Sequence, residues 1–230
     1  MVLPLQGVDK AIAATWAVAT NLCILPTAWL AIRLELYLET VLALVAMVLS
    51  IIYHLCQTLS IDILGYDTAT WHTADNLMAT TVLVCMLMSF SQFPRPSKHR
   101  ELLFSAAVSL TVAVQTLSVV PFENTLGPII IAAVVGPLAC FAYHHRPPRL
   151  AWRYICVAVP LAAAAGVCFF KGLDSEADRL RLWHGTWHVC VSAACSAALK
   201  ALNPPHLFAV AARAGPGEPG ERGAGLEEGL

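Results

Sequence analysis

Apolar residues gather into seven runs along the chain, at approximately 11–32, 37–57, 71–91, 102–120, 126–143, 154–171 and 184–201, with polar and proline-containing stretches between them. A helix spans about 30 Å of hydrocarbon with roughly 20 residues, and 17 still suffice. The pattern therefore predicts an all-α, polytopic membrane protein: a bundle of seven transmembrane helices over 11–202, behind a short extracytoplasmic segment at 1–10. The fourth to sixth runs are short or interrupted by proline, which leaves six spans as the alternative count. Pro26, Pro128, Pro137 and Pro160 fall inside runs and predict kinks, because neighbouring helices in a bundle satisfy the carbonyls that proline frees. From residue 203 the chain turns to Pro, Gly, Ala and Glu, a composition that buries no core, and 203–230 reads as a disordered cytoplasmic tail.

Composition agrees with the pattern. The chain is 58% hydrophobic and 13% charged, with a mean hydropathy of +0.67, against roughly 45–50% apolar and 25% charged in soluble domains. A net charge of -1 and a pI near 6.7 give no reason to expect nucleic acid as a partner. The first ten residues lack the basic segment and small-residue cleavage site of a removable signal, so the first run is expected to stay in the fold as an anchor. Eight cysteines have no CxxC spacing, and nearly all lie in apolar runs, where a thiol packs as a small hydrophobe. Cys56, close to a helix end, is the one that a disulfide would suit.

Orientation follows from the basic residues, since positive loops stay in the cytoplasm. Lys10, Lys171, Arg179 and Arg181 fall on the N-terminal side of the seven-helix topology; the other ten Lys and Arg fall on the opposite side. The N-terminus is thus expected outside or lumenal and the C-terminus in the cytoplasm, at the plasma membrane or an endomembrane.

That topology gathers scattered polar residues. The second run ends near His54, the third begins near Asp75, and the seventh begins with His184 and His188, so all four are expected at the outward end of the bundle. Ser50 stands one turn from His54, and residues four apart share a helix face. Three histidines with a free fourth position form the ligand set of a catalytic zinc, which lowers the pKa of bound water toward about 7. Asp75 would orient that water or take its proton, and Ser50 would bond the water or a developing oxyanion. The reaction expected is hydrolysis of a membrane lipid. Asp75 is notable on its own, because a charge at the bilayer centre costs at least about 2.5–3.5 kcal/mol. The alternatives are a metal-free clamp, with Asp75 paired to a protonated imidazole, or unrelated interfacial polar residues. His72, three residues before Asp75, could replace a ligand, although its position at the run's edge favours an interfacial role.

The remaining polar residues have plainer expectations. His99, His144, His145 and His206 fall on the opposite side, where His144 and His145 with Arg146, Arg149 and Arg153 would meet cytosolic headgroups. Trp71, Trp183 and Trp187 lie where an aromatic belt is expected. Asp174, Glu176 and Asp178, beside Arg179 and Arg181, read as a solvated loop.

Together, the segment Ser50-Ile51-Ile52-Tyr53-His54-Leu55-Cys56, Asp75 at the head of the next helix, and His184-Gly185-Thr186-Trp187-His188 resemble the CREST superfamily of membrane hydrolases. That group includes alkaline ceramidases and the progestin and adiponectin receptors. The likeness is greatest to the myomaker and post-GPI-attachment phospholipase (transmembrane protein 8) family, whose SxxxHxC segment and closing HxxxH are echoed here. Over residues 10–202 the resemblance implies seven helices, an outward N-terminus, Zn²⁺ held by His54, His184 and His188, and Asp75 and Ser50 as catalytic companions. It implies lipid acyl ester or amide hydrolysis at the lumenal or extracellular leaflet, or a non-enzymatic receptor-like or fusion-promoting role around a structural metal. Two departures are visible: the large extracellular domain of the GPI-processing members and the cysteine-bearing tail of myomaker-type members are not in this sequence.

Overall fold

The computed structural model describes residues 7–94, 97–117, 121–174 and 178–202, with the backbone alone at 121–124. Among these residues there are eight α-helices and no strand: α1 (Val8–Asn21), α2 (Leu25–Arg33), α3 (Tyr37–Leu59), α4 (Thr68–Met88), α5 (Lys98–Leu117), α6 (Pro121–His144), α7 (Trp152–Gly172) and α8 (Leu182–Leu202). The expected tail, 203–230, lies outside the described residues.

The first apolar run is one bent span. A 3-10 turn, Leu22–Ile24, joins α1 to α2, and Pro26 takes a place in the first turn of α2, where its missing N–H leaves no bond unmade. Pro128 and Pro137 lie inside α6 and Pro160 inside α7, and both helices run through them.

Five stretches are long and apolar enough to cross a membrane: Val8–Arg33, Tyr37–Leu59, Thr68–Ser91, Thr125–His144 and Trp152–Gly172. The protein is membrane-embedded. The described residues of the seven runs expected from sequence appear as helix, but two runs fall short of a span by apolarity. Lys98, Arg100 and Glu101 open α5, while the polar His184 and His188 open α8 and Lys200 sits near its end.

The packing is that of a membrane bundle, with small residues inside and large apolar ones outside. Ala13, Ala28, Ala43, Ala132 and Ala197 are buried, whereas Trp29, Val41, Ile130, Phe141 and Val159 are exposed. α4 sits centrally and packs on α3, α5 and α6; α8 packs on α7 and on the bent first span, which also packs on α3. Two glycines set close approaches. A Cβ at Gly136 would stand 2.4 Å from the Leu87 carbonyl oxygen, and one at Gly185 would stand 2.2 Å from the Trp16 Nε1.

Between the first span, α3, α4 and α8 lies an elongated, mostly apolar cavity, partly open to the outside. Ser50, Asp75 and His188 line one end; Glu39 and Leu199 line the other. Ser50 and Glu39 are eleven positions apart on α3, which is about 16 Å at 1.5 Å per residue.

The far end is closed by a clamp that the sequence reading did not anticipate. Glu39, 2% exposed, pairs through Oε1 with Arg100 Nη2, and Ser89 Oγ donates to the same oxygen at 3.2 Å. The Arg100 guanidinium also lies 4.3 Å from the Phe104 ring centroid. One cluster thus ties α3, the end of α4 and α5. Nearby, His144 does not point free toward headgroups as expected, and the backbone of the exposed Arg149 is tied to Gln92. His144 Nε2 contacts the Gln92 carbonyl at 3.0 Å, and the Gln92 side chain bonds both the Arg149 N–H and the Arg149 carbonyl.

Candidate metal centre

The last turns of α3 and the first turns of α4 and α8 meet at one end of the cavity, and each has a local reason to stop or start there. α3 ends at Ser60, in the left-handed conformation with φ 57, whose N–H bonds the Cys56 carbonyl. α4 begins at Asp67, whose carboxylate accepts from Thr70 N at 2.9 Å and Thr70 Oγ1 at 2.6 Å. α8 is started by Asp178, whose two carboxylate oxygens accept from Trp183 N at 3.1 Å and His184 N at 2.9 Å. This corrects the reading of its loop as solvated. Asp174 is exposed, but Asp178 is buried because it supplies acceptors to N–H groups that have no partner inside the helix. Glu176 lies outside the described residues.

Three imidazoles converge in this corner. His54 Nε2 stands 3.1 Å from His184 Nε2 and 3.3 Å from His188 Nε2, and the three candidate ligand atoms lie within 4.8 Å of one another. Such a cluster could hold a metal ion. With metal–nitrogen bonds of about 2.0–2.1 Å, tetrahedral ligands stand about 3.3 Å apart; the two pairs that include His54 match that spacing, while the group as a whole spans up to 4.8 Å. Hydrogen bonding alone serves the cluster poorly. A ring nitrogen has one hydrogen or one lone pair in its plane, so His54 Nε2 can satisfy only one of its two neighbours well, whereas three lone pairs aimed at one cation are all used.

His54 is 2% exposed and His188 9%, while His184 is half-buried nearer the surface. Packing holds the rings. The Trp187 ring packs at a tilt 4.5 Å from the His188 centroid, 5.4 Å from that of His184 and 5.5 Å from that of Phe169. Trp187 also lines the cavity, so it is a wall of the site and not the belt anchor expected. Trp183 is 42% exposed beneath the Lys171 ammonium, and Trp71 Nε1 donates to the Ile63 carbonyl.

Asp75 and Ser50 are both buried and share the cavity with His188. The Ser50 hydroxyl lies beside the Asp75 carboxyl, yet it makes no hydrogen bond of ordinary geometry. Among the described residues no histidine forms an ion pair with Asp75, so the carboxylate–imidazolium contact that a clamp requires is not made. His72 stays out of the cluster. It is exposed, 4.8 Å from the Tyr53 ring centroid and in loose contact with Asn76. Cys56 is a buried free thiol and not half of a disulfide.

Sequence reasoning passed over Trp187 as a site residue, Asp178 as a cap, and Gln57, a polar residue three positions after His54 on the same helix. Register was the readable signal for Gln57, since residues three apart are neighbours on a helix face.

The fold and this corner define a helical membrane protein with a buried three-histidine cluster at the end of an apolar cavity. A family model described as "Protein of unknown function (DUF3522)" matches residues 9–189, and the chain belongs to that family. The matched stretch contains Ser50, His54, Asp75, His184 and His188. A search of curated proteins finds no match.

Proposed function

We propose that the protein is a zinc-dependent membrane hydrolase acting on an acyl ester or amide of a lipid. The observation behind this reading is the meeting of three imidazoles, their candidate ligand nitrogens within 4.8 Å of one another, with a buried carboxyl and hydroxyl at one end of an apolar cavity. The resemblance to the CREST superfamily points the same way. His54, His184 and His188 would hold the ion, beside the cavity that His188 lines. A zinc ion so held supplies Lewis acidity and a water acidic enough to react near neutral pH.

The remaining chemistry belongs to the chain. Asp75 accepts the proton released as water adds to the acyl carbon, then returns it to the departing oxygen or nitrogen as that bond to the acyl carbon breaks. Ser50, whose hydroxyl is free to donate, stabilises the charge that develops on the carbonyl oxygen. The apolar walls take the hydrocarbon chain and exclude water. Cation placement in the loops supports a lumenal or extracellular site face, with an outward N-terminus and seven spans.

Metal content separates this reading from an all-protein clamp. Detergent-purified wild type is expected to hold close to one zinc per chain by elemental analysis, and His184→Ala to hold far less while remaining folded. Asp75→Asn is expected to retain the metal and lose about 10²–10⁴-fold in lipid hydrolysis. A metal-free wild type leaves the cluster as a contact among the three imidazoles alone and overturns the metal reading. A zinc-loaded protein in which Asp75→Asn changes nothing makes the metal structural.

A further inference from the structure

His54 has two ring nitrogens, and only Nε2 faces the other histidines. Its Nδ1 is buried and has no hydrogen-bond partner of ordinary geometry. Gln57 Oε1 is in the same condition. The Gln57 side chain follows three residues later on α3, and its carboxamide lies against both the Tyr53 hydroxyl and the His54 imidazole. Two buried, unsatisfied groups are thus neighbours on one helix face.

Their chemistry fixes how they pair. A carboxamide NH₂ only donates and a carboxamide oxygen only accepts. With the amide nitrogen turned to the Tyr53 oxygen, the amide oxygen is left for His54, and it can pair only with an Nδ1 that carries hydrogen. A neutral imidazole protonated at Nδ1 presents a lone pair at Nε2, the form a metal ligand needs. The opposite tautomer would aim an N–H into the cluster and leave two lone pairs, on Nδ1 and on Oε1, facing each other in a buried place.

We infer that Gln57 is a positioning residue that holds His54 in the Nδ1–H tautomer and so presents Nε2 to a metal ion. The inference rests on the metal reading for its purpose but not for its test, because the tautomer exists with or without metal. Partners of this kind behind a ligating histidine are worth about 10–100-fold in metal affinity.

Three proteins decide the matter: wild type, Gln57→Leu, which keeps the bulk and removes both polar atoms, and Gln57→Glu, which keeps an acceptor at the same reach. Nitrogen-15 NMR of histidine-labelled protein in detergent, with His54 assigned by its absence in His54→Ala, reads the tautomer of the metal-free form. Competition against a chelator reads zinc affinity. The expected result is an Nδ1–H signature in wild type and Gln57→Glu that is lost in Gln57→Leu, with zinc bound about 10–100-fold more weakly by Gln57→Leu alone. Thermal unfolding of each variant shows whether the bundle is intact. If Gln57→Leu unfolds, Gln57→Asn, which draws the acceptor back by one methylene, takes its place with the same expectation. An unchanged His54 signature in the folded variant overturns the inference. A wild type that binds no zinc, in which the tautomer still switches, overturns the metal reading and leaves the positioning role standing.

Discussion

The cavity has a polar cluster at each end, and the two are built on opposite principles. At the Glu39 end, opposite charges meet: the carboxylate pairs with Arg100, Ser89 adds a hydrogen bond, and Phe104 lies under the guanidinium. At the His54 end, like groups meet: three imidazole nitrogens face one another, and neither Asp75 nor Ser50 complements them with an ion pair or an ordinary hydrogen bond. A buried polar group is costly unless matched. The first cluster pairs opposite charges through Glu39 Oε1, although Oε2 is buried without a hydrogen-bond partner, and its ion pair explains its presence as a staple between helices. The second has no such internal match, and its three converging nitrogens could hold a metal ion.

The largest effect expected on stability is therefore at the end assigned no ligand. Arg100→Ala leaves the Glu39 carboxylate buried without a countercharge, only the Ser89 hydrogen bond remaining, and breaking such a pair costs about 3–5 kcal/mol. Reversible unfolding in mixed micelles should show that loss, with zinc per folded chain unchanged. His184→Ala should show the reverse, a lost metal with the bundle intact. If Arg100→Ala also empties the histidine cluster, the two ends are coupled and the division fails.

A smaller effect tests how the histidine end is held in place. Gly185 lies between His184 and His188 in chain order, and a Cβ there would meet the Trp16 indole nitrogen of α1 at 2.2 Å. Gly185→Ala must move α8 or the indole, and inserting a methyl where there is no room costs about 1–3 kcal/mol. Weaker zinc binding should accompany the lost stability, because α8 supplies two of the three nitrogens. The matching change at Gly136, where a Cβ would meet the Leu87 carbonyl oxygen of α4, should lower stability without weakening the metal. Equal effects on zinc from both glycines would mean that general loosening of the bundle, and not the seat of α8, governs the site.

What could be read from the chain divides along the same line. Helices were legible because lipid imposes length and apolarity on them, and the seven runs coincide with helices to within a few residues. The His54, His184 and His188 cluster was legible because polar side chains in apolar runs stand out, and alternation of helix direction brought them to one end. The Glu39–Arg100 staple was missed for the opposite reason. Both residues sit in the first turns of their helices, where charge is ordinary, and nothing in a linear pattern says that two such ends will be pressed together. Asp178 was misread for the same cause: one carboxylate among several in a polar loop gives no sign that it will turn inward to cap α8. Whether α5 and α8 cross the bilayer was also not legible, since the groups that make them interesting are those that lower their apolarity.

The smallest effect expected is at Asp67, which starts the helix that bears Asp75. Its carboxyl is held below the ordinary value of 3.8 by the Thr70 hydroxyl and then by the Thr70 N–H, both donating to it. A carboxyl with a lowered value in the folded state stabilises that state only while ionised, so its contribution is complete above pH 3.8 and fades as pH falls through the lowered value. Trp71, one turn into α4 and bonded to the Ile63 carbonyl, reports this locally. Its fluorescence should shift on acidification below pH 3.8 in wild type, while the far-UV helix signal stays level. Asp67→Asn keeps an acceptor at the cap without a titrating proton and should abolish the shift; Asp67→Ala should show the altered fluorescence at every pH. Because Asp67 lies at the histidine end and away from the Glu39 staple, Arg100→Ala should leave this titration where it is. A titration that moves in Arg100→Ala would show that the ends communicate through α4, the helix that touches both.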